Sequence, residues 1–361
     1  LHRKKGVPRK MKKYTSLRIG NKLSFFIDKK AIVTIGILTS LVFLLFLIST
    51  GMGDMKIAPW NVMKVLLGYG ESMETLVVQS FRLPRIIMAL LIGISLAVAG
   101  AILQGIIRNP LASPDIIGLT GGASTAVVLF LTIFSDSNNS LTVSIHWMPL
   151  SAFIGATAIA IFVFLLSWKN GLNPIRLVLI GIGISMLMQA LTTLFMILGP
   201  IYRASQANIW ITGSVYGSNW DHVKILLPWT ILLFILSLIL VRHMNIQELG
   251  DELATGVGSA VNKHRVGLLF LSTALTGGAV AFGGGIGFVG LMAPHIARRL
   301  VGSSFGWLIP TSALIGAFLV MLSDLIGRTL FAPLEIPAGV FTAGIGAPYF
   351  IYLLYKTRNV S

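Results

Sequence analysis

Cysteine is absent from all 361 residues of this sequence. Its absence excludes disulfide bonds, thiolate metal sites and cysteine nucleophiles. Charge is also scarce, because only 11% of the residues are Asp, Glu, Lys or Arg, against roughly 25% in an ordinary soluble domain. A chain this long that is 55% hydrophobic cannot bury its apolar surface and still present so little charge to water. The composition therefore predicts a membrane protein.

Sequence motifs of enzymatic chemistry are missing as well. There is no Walker A segment, no His-Glu-x-x-His pair and no Gly-x-Ser-x-Gly elbow, so we expect no ATP, zinc-dependent or serine hydrolysis by this chain. Gly285 to Gly290 fits G-x-G-x-x-G, but position 310 is proline where dinucleotide binding needs an acid. We interpret the segment as a tight turn between membrane helices. His295 is expected to pack or to form a hydrogen bond at a helix end, and we expect no metal or other cofactor.

Basic residues give the chain a formal net charge of +16. They lie in short segments between long apolar runs, which indicates orientation in a membrane rather than binding to nucleic acid. Eleven of them fall within residues 1–30, which we interpret as a disordered basic cytoplasmic tail. Whether translation starts at Leu1 or at Met11 is left open. Residues 31–358 then form one transmembrane domain.

Apolar runs of about 20 residues, the length that crosses a bilayer core, recur along the chain. The predicted spans are 31–49, 86–107, 116–134, 149–168, 175–198, 225–241, 266–282, 307–326 and 337–355. A tenth segment, 286–299, is short and contains Pro294, so the sequence leaves open whether it crosses or re-enters. The predicted fold class is all-α, with about ten transmembrane helices.

The charges of the connecting segments predict the orientation. With both termini in the cytoplasm, 21 of the 28 basic residues face inward and 7 face outward, as the positive-inside rule requires. The longest internal loop is 242–265. Outside, residues 57–67 are expected to lie flat on the membrane surface. The outer segment 199–224 is expected to supply an interfacial aromatic belt of Tyr202, Trp210, Tyr216 and Trp220.

The positions of the twelve acids bear on the energy source. Carriers driven by ion gradients need ionisable groups deep in the membrane, whereas these acids are expected in loops or near span ends. Asp324 is the deepest of them, and Arg328, four residues later, is its expected partner. We therefore expect another subunit to supply the energy for any transport.

Five stretches, in order along residues 80–355, resemble the FecCD family of permease subunits, which serve bacterial ABC importers of ferric siderophores, haem and cobalamin. They are Arg82-Leu-Pro-Arg85, Ala99 to Gly105 continuing into Asn109 to Pro114, Trp210 to Ser214, Gly285 to His295 with Arg298, and Pro337-Ala-Gly339 with Gly346-Ala-Pro348. The resemblance implies a BtuC-like permease fold in the bacterial cytoplasmic membrane. It further implies a second permease subunit, two cytoplasmic ATPases that hydrolyse the ATP, and an external substrate-binding protein.

The resemblance also implies roles for particular residues. Leu249 to Gly258 is similar to the family's ATPase-coupling segment through Gly250, Asp251, Ala254 and Gly258, although Gly256 and Val257 depart from the usual pattern. Docking of the binding protein is assigned to Arg82, Arg85 and Arg328. The substrate path is expected along 175–198 and 337–355, with an inner gate at 168–174. The candidate path and gate residues are Trp168, Asn170, Ser185, Gln189 and Thr192.

The expected cargo is a ferric siderophore or a similar metal chelate, with haem and cobalamin as alternatives. An ion-coupled secondary carrier is the alternative from another class, and it would need midplane carboxylates and broken helices in repeated halves. The sequence also leaves open whether the two permease subunits are identical. The hydroxyls and the amide along 175–198 would either face the path or form hydrogen bonds between helices.

Overall fold

A computed structural model describes residues 14–19, 23–53, 55–135, 141–169, 171–199 and 201–357. Apart from one short hairpin, the regular structure in these ranges is helical. The α-helices are α1 Lys29–Gly51, α2 Pro59–Leu66, α3 Ser72–Leu76, α4 Leu83–Ile107, α5 Leu119–Ile133, α6 Met148–Ser167, α7 Pro174–Leu198, α8 Ile201–Thr212, α9 Trp220–Ile239, α10 Val241–Gln247, α11 Asp251–Gly256, α12 Val261–Gly283, α13 Val289–Val301, α14 Phe305–Thr329 and α15 Ala338–Thr357.

The hairpin corrects the expectation that the whole tail is disordered. Strands β1 (Tyr14–Ile19) and β2 (Leu23–Asp28) pair in antiparallel register, with Tyr14 opposite Asp28. Both strands contain β-branched or aromatic residues, which favour extended backbone, and the count of lysines and arginines concealed this pattern. Asp28 then begins α1, since its side chain accepts a hydrogen bond from the Lys30 backbone N–H at 2.9 Å.

Eight of the ten predicted spans are helices long and apolar enough to cross a membrane. The other two are shorter, namely α5 with 15 residues and α13 with 13 residues. The segment 286–299, whose nature the sequence left open, is therefore a glycine-rich turn followed by the short helix α13. The chain is a multi-pass helical membrane protein, as predicted.

Helix α4 forms the centre of the bundle. In the most apolar 18-residue stretch of its span, 83% of the residues are buried. The corresponding buried share is 17–28% for α1, α6, α7, α9 and α15. A helix that is apolar on all sides must be surrounded by other helices, and α4 packs against α9, α12, α13 and α14. The helices with low burial lie around this core and present apolar faces outward.

A face of small residues on α4 allows close helix contact. A Cβ atom at Gly93 would overlap the backbone of Gly316 in α14, and one at Gly100 would overlap the backbone of Gly290 in α13. At Gly105 a Cβ would come within 2.6 Å of the Phe305 ring. Because lipid tails offer no hydrophobic drive between helices, such close packing is a main source of association.

The contacts place the predicted inner and outer segments at opposite ends of the bundle. Arg108, at the end of α4, forms an ion pair with Asp251, which also pairs with Arg265 at the inner end. Arg85, at the start of α4, meets Asp324 near the end of α14 and so marks the outer end. The alternation predicted from the charges is therefore consistent with the helix directions.

The predicted aromatic belt is only partly correct. Trp210 is buried, at 8% relative exposure, because α8 folds back onto the bundle. Tyr216 is exposed, and Trp220 donates a hydrogen bond from its indole nitrogen to the Gln79 carbonyl. Residues 57–67 contain the predicted amphipathic helix, α2, whose Val62 and Val65 are buried in a small outer cluster.

Candidate functional site

A cavity of about 510 Å³ lies between α5, α7, α13 and α15 and the segments that precede α5 and α13. Such a volume falls in the range of about 300–1,000 Å³ typical of small-molecule sites. Its polar groups include Asp115, Thr120, Ser185, Gln189 and Thr192, and its apolar walls include Phe288 and Phe350. The cavity wall is thus mostly apolar, with one carboxylate and several neutral hydrogen-bonding groups exposed in it.

Three of the predicted path residues line this cavity on α7, namely Ser185, Gln189 and Thr192. Thr192 also forms the interhelical hydrogen bond that was its alternative role, because its hydroxyl lies 2.9 Å from that of Thr125 on α5. Both interpretations of this helix are therefore consistent with the geometry.

The remaining two predicted gate residues belong to the turn before α7. Trp168 pairs with Leu172 in an isolated antiparallel bridge, and its ring packs against Phe164. Asn170 lies outside the described residues. Asn173 ends the turn and caps α7, since its side-chain oxygen accepts hydrogen bonds from the backbone N–H groups of Ile175 and Arg176.

Asp115 is a cavity residue that the sequence analysis did not identify. Its segment folds back into the bundle, so that a Cβ at Gly118 would lie 3.2 Å from the backbone nitrogen of Ser185. Ser185 is about 16 Å along α7 from its first residue. Asp115 lies in a turn four residues before α5, so it is in a loop as expected, but the sequence did not predict that this loop folds back to line the cavity.

The hydrogen bonds of Asp115 tie two cavity walls together. Its Oδ1 accepts a bond of 2.7 Å from the Thr120 hydroxyl, and its carboxylate also accepts one from the backbone N–H of Phe288. A half-buried carboxylate needs such donors, because desolvation without them is costly. The acid thus joins the segment before α5 to the turn before α13.

The glycine-rich turn is packed against α8, as the interpretation of G-x-G-x-x-G as a turn predicted. Gly285 donates a backbone hydrogen bond of 3.2 Å to the Trp210 carbonyl, and a Cβ on it would overlap the carbonyl of Ile211. Gly339, at the start of α15, likewise donates to the Gly213 carbonyl at 2.9 Å. The end of α8 therefore anchors both the turn and α15.

The candidate coupling segment forms a short helix, α11, at the inner end. Gly250 precedes it with φ +104° and Gly258 follows it with φ +81°, a region that side chains with a Cβ rarely adopt. Ala254 is buried and fixes the helix to the bundle. Leu253 on α11 is an exposed apolar side chain, and so are Leu249 and Val257, which flank the helix at four-residue spacing.

Asp251 begins α11 and pairs with two arginines. It forms ion pairs with Arg108 at the end of α4 and, at 2.7 Å, with Arg265 on α12. Arg265 also donates a hydrogen bond of 2.9 Å to the Leu172 carbonyl. The coupling segment is thus connected by charged hydrogen bonds to two other elements.

The three predicted docking arginines lie together at the outer end, and two of them hold the end of α1. Arg82 donates to the carbonyls of Thr50 at 2.8 Å and Gly51 at 3.1 Å, and also to that of Met55. Arg328 donates to Met52 at 2.6 Å and also to Ser49. The last carbonyls of a helix carry partial negative charge and lack intrahelical partners, so arginine stabilises them.

Arg85 has a different environment. Its guanidinium bridges buried Asp324 and half-exposed Glu335, each at 2.8 Å, and lies 5.7 Å from the ring centre of Tyr216. Arg328 is 3.6 Å from Asp324, so the predicted local pair is present but longer than the pair with Arg85. The acid's main partner is therefore on another helix.

His295 lies in the middle of α13, so its hydrogen bond is not the helix-end bond that was one of its two predicted roles, whereas its ring packs edge-on against Tyr349. Its Nδ1 lies 2.7 Å from the Tyr349 hydroxyl on α15. Among the described residues, no group of three or more His, Cys, Asp or Glu side chains is placed to hold a metal ion.

A bundle of helices long and apolar enough to span a membrane, with a cavity between them, is the architecture of a multi-pass membrane protein with room for a small molecule. The FecCD transport family model matches residues 41–356. A relative is the probable siderophore transport system permease protein YfhA of Bacillus subtilis (strain 168), which is 61% identical and covers 92% of this chain and 97% of its own length. The chain belongs to the FecCD transport family.

Two further comparisons agree with this assignment. The achromobactin transport system permease protein CbrC of Dickeya dadantii (strain 3937) is 46% identical over 88% of this chain and 90% of its own. A metal-chelate type ABC transporter solved in an inward-facing conformation is 32% identical and has a TM-score of 0.77, covering 90% of this chain and 99% of that one. The predicted permease fold is confirmed.

Proposed function

We propose that this chain is the permease subunit of an ATP-binding-cassette importer that carries a ferric siderophore across the bacterial cytoplasmic membrane. The observation that carries the proposal is the 61% identity to a siderophore transport permease along nearly the full length of both chains. The cavity on α7 supplies a place for the cargo, since its hydroxyls and amide can form hydrogen bonds to the polar periphery of a chelate. Haem and cobalamin are the other cargoes considered.

Energy for transport comes in this proposal from two ATPase subunits bound at the inner end. The exposed surface of α11 and its flanking residues supports their docking, because Leu249, Leu253 and Val257 are exposed beside charged residues at a predicted cytoplasmic surface. Apolar residues on one face of a helix are a common means of binding in a partner's groove. The sequence has no nucleotide-binding motif of its own, so ATP hydrolysis belongs to those subunits.

A second permease subunit completes the cargo path along α7 and α15. Both helices have low burial within this chain, and both contribute residues to the cavity wall. Their apolar outer faces are therefore available to a partner as well as to lipid.

Docking of an external binding protein is proposed at the outer arginines, chiefly Arg85. Arg82 and Arg328 lie beside it and add positive charge, but their guanidinium groups are held by the end of α1. Half-exposed Glu335 occupies one side of Arg85. A carboxylate of the partner can replace Glu335 there, because a guanidinium binds a carboxylate in a bidentate manner. Binding of the partner to Arg85→Gln importer should be weaker than to the unchanged importer, most clearly at low salt.

The test of the function is uptake of an iron-labelled siderophore by cells that lack their own importer. Cells expressing the permeases, the binding protein and the ATPases should accumulate iron, and an inactive ATPase should abolish this. Uptake that persists without the ATPases and stops when ion gradients are collapsed would favour the secondary carrier instead.

A further inference from the structure

Asp251 links two segments that lead into the walls of the cavity. One segment follows α4 and starts with Arg108, and its residue Asp115 lines the cavity. The other is the turn before α7, whose described residues do not themselves line the cavity but which begins a helix that does. Asp251 reaches this turn through Arg265, which donates a hydrogen bond to the Leu172 carbonyl. One carboxylate on the helix proposed to face the ATPases is thus linked through two arginines to both segments.

Arg265 is the buried member of this arrangement. Its side chain is 2% exposed, whereas that of Asp251 is 54% exposed. A guanidinium removed from water is costly to keep unless it is paired and hydrogen-bonded. Arg265 meets this need with the Asp251 carboxylate on one nitrogen and the Leu172 carbonyl on another, so the three groups are held as a unit.

The turn held by Arg265 leads directly into the cavity wall. Leu172 is buried and bridges back to Trp168, and a Cβ at Gly171 would lie 2.7 Å from the side chain of Asn262 on α12. Two residues after Leu172 the helix α7 begins, and Ser185 and Gln189 lie on that helix. A displacement of the turn is therefore a displacement of the wall.

Arg108 connects Asp251 to the other of the two segments, the one that follows α4. Arg108 is the last residue before the segment 109–118 and has φ 55°, an unusual conformation for a residue with a side chain. Its ion pair with Asp251 fixes where that segment leaves α4. The part of the cavity wall formed by residues 109–118 is therefore joined to α11 as well.

We propose that Asp251 and Arg265 transmit movement of α11 to both walls of the cavity, with Arg265 as a positioning residue. When α11 moves, Arg265 either follows its carboxylate and shifts the turn at Leu172, or it remains buried without its counter-ion. The second state is disfavoured, so the movement is passed on. The inference rests on the proposed function, because it requires that α11 is the element the ATPases displace.

The test uses the complete importer in proteoliposomes, with three measurements on each variant: ATPase binding to the permeases, ATP hydrolysis and iron-siderophore uptake. Arg265→Gln removes the charge at a buried position that no ATPase can touch. We expect bound ATPases that still hydrolyse ATP, with the amount of chelate imported per ATP reduced about tenfold or more. Arg265→Lys, which keeps the ion pair, should recover part of the loss.

A fourth measurement separates transmission from a merely structural role. Since the chain has no cysteine, Gln189→Cys places a single thiol on the cavity wall. ATP should change the rate at which a thiol reagent labels this cysteine in the importer that retains Arg265. The change should be lost in Arg265→Gln. Lys263→Gln is the matched control, because Lys263 is an exposed cation two residues before Arg265 on the same helix. This variant should behave as the unchanged importer does.

These measurements distinguish failure of the inference from failure of the proposed function. Unchanged import per ATP and unchanged ATP-dependent labelling in Arg265→Gln would overturn the inference and leave the proposed function intact. If Arg265→Gln fails to assemble, Asp251→Asn decides, because that residue is exposed and neutralising it breaks the same link. Normal coupling in Asp251→Asn would then overturn the inference. Failure of the ATPases to bind the unchanged permeases would instead contradict the proposed function.

Discussion

Asp115 shows how one side chain bears on the choice between two kinds of transporter. A carboxylate at the wall of a cavity is a feature that ion-coupled carriers need. Here both of its described donors are neutral groups, the Thr120 hydroxyl and the Phe288 N–H. Its role in this geometry is that of a hydrogen-bond acceptor that joins two walls, for which the negative charge is not required.

We therefore predict different effects for two replacements of Asp115. Asp115→Asn keeps an acceptor oxygen and should retain ATP-driven uptake within about twofold of the unchanged importer. Asp115→Leu leaves two donors unpaired, at a cost of about 1–3 kcal/mol each, and should lower both uptake and thermal stability. The measurement is iron uptake with ion gradients collapsed by an ionophore. Loss of uptake in Asp115→Asn at normal abundance would show that the charge itself is required.

The outer arginines illustrate a residue role that sequence alone could not separate. Arg82 was expected at a docking surface, yet its guanidinium donates to carbonyls at the end of α1 and beyond it. Hydrogen bonds to charged groups contribute about 1.5–3 kcal/mol each. The arginine that violates the positive-inside rule thus has a structural reason to be outside.

The prediction is that Arg82→Met lowers the melting temperature of the purified permease in detergent. The loss should correspond to about 2–4 kcal/mol, because the contributions of neighbouring bonds are not additive. Lys56→Met removes an exposed cation from the same end and is the control that should melt as the unchanged protein does. Equal melting of the two variants would exclude the role in holding α1.

Among the elements, the long helices were predictable because each buries its own backbone hydrogen bonds and needs only length and apolarity. The span predicted at 175–198 is the helix Pro174–Leu198. Contacts between distant segments were not predictable, because the ion pair of Arg85 with Asp324 joins residues 239 positions apart. The fold-back of residues 109–118 was missed since their hydrophobicity pattern resembles that of an ordinary loop.

Gly258, which follows α11, tests whether this helix contacts the ATPases. No heavy atom other than its chain neighbours lies within 4 Å of a Cβ built on Gly258, so a bulky residue fits the isolated subunit but projects into the proposed ATPase groove. Gly258→Trp should abolish uptake at normal abundance. Gly258→Ala imposes the same backbone cost, about 1–2 kcal/mol, without the bulk, and it should retain most uptake. Normal uptake by the Trp variant would remove α11 from the contact with the ATPases.

At the scale of the whole molecule, the orientation is a prediction from charge that the helix directions support. A cysteine at Asn262, which is exposed at the inner end, should not react with an impermeant thiol reagent in intact cells but should react in inverted vesicles. A cysteine at exposed Tyr216 should show the reverse. Labelling of the Asn262 variant in intact cells would place the inner end outside and contradict the topology.

In the proposed function, this chain moves its cargo with energy from partner ATPases. The direct measurement is uptake of iron-labelled siderophore into proteoliposomes that contain the permease subunits and ATPases, with the binding protein outside and ATP inside. We predict uptake that depends on ATP and on the binding protein and that is unaffected by ionophores. Uptake driven by an imposed proton or sodium gradient without ATP would contradict the account.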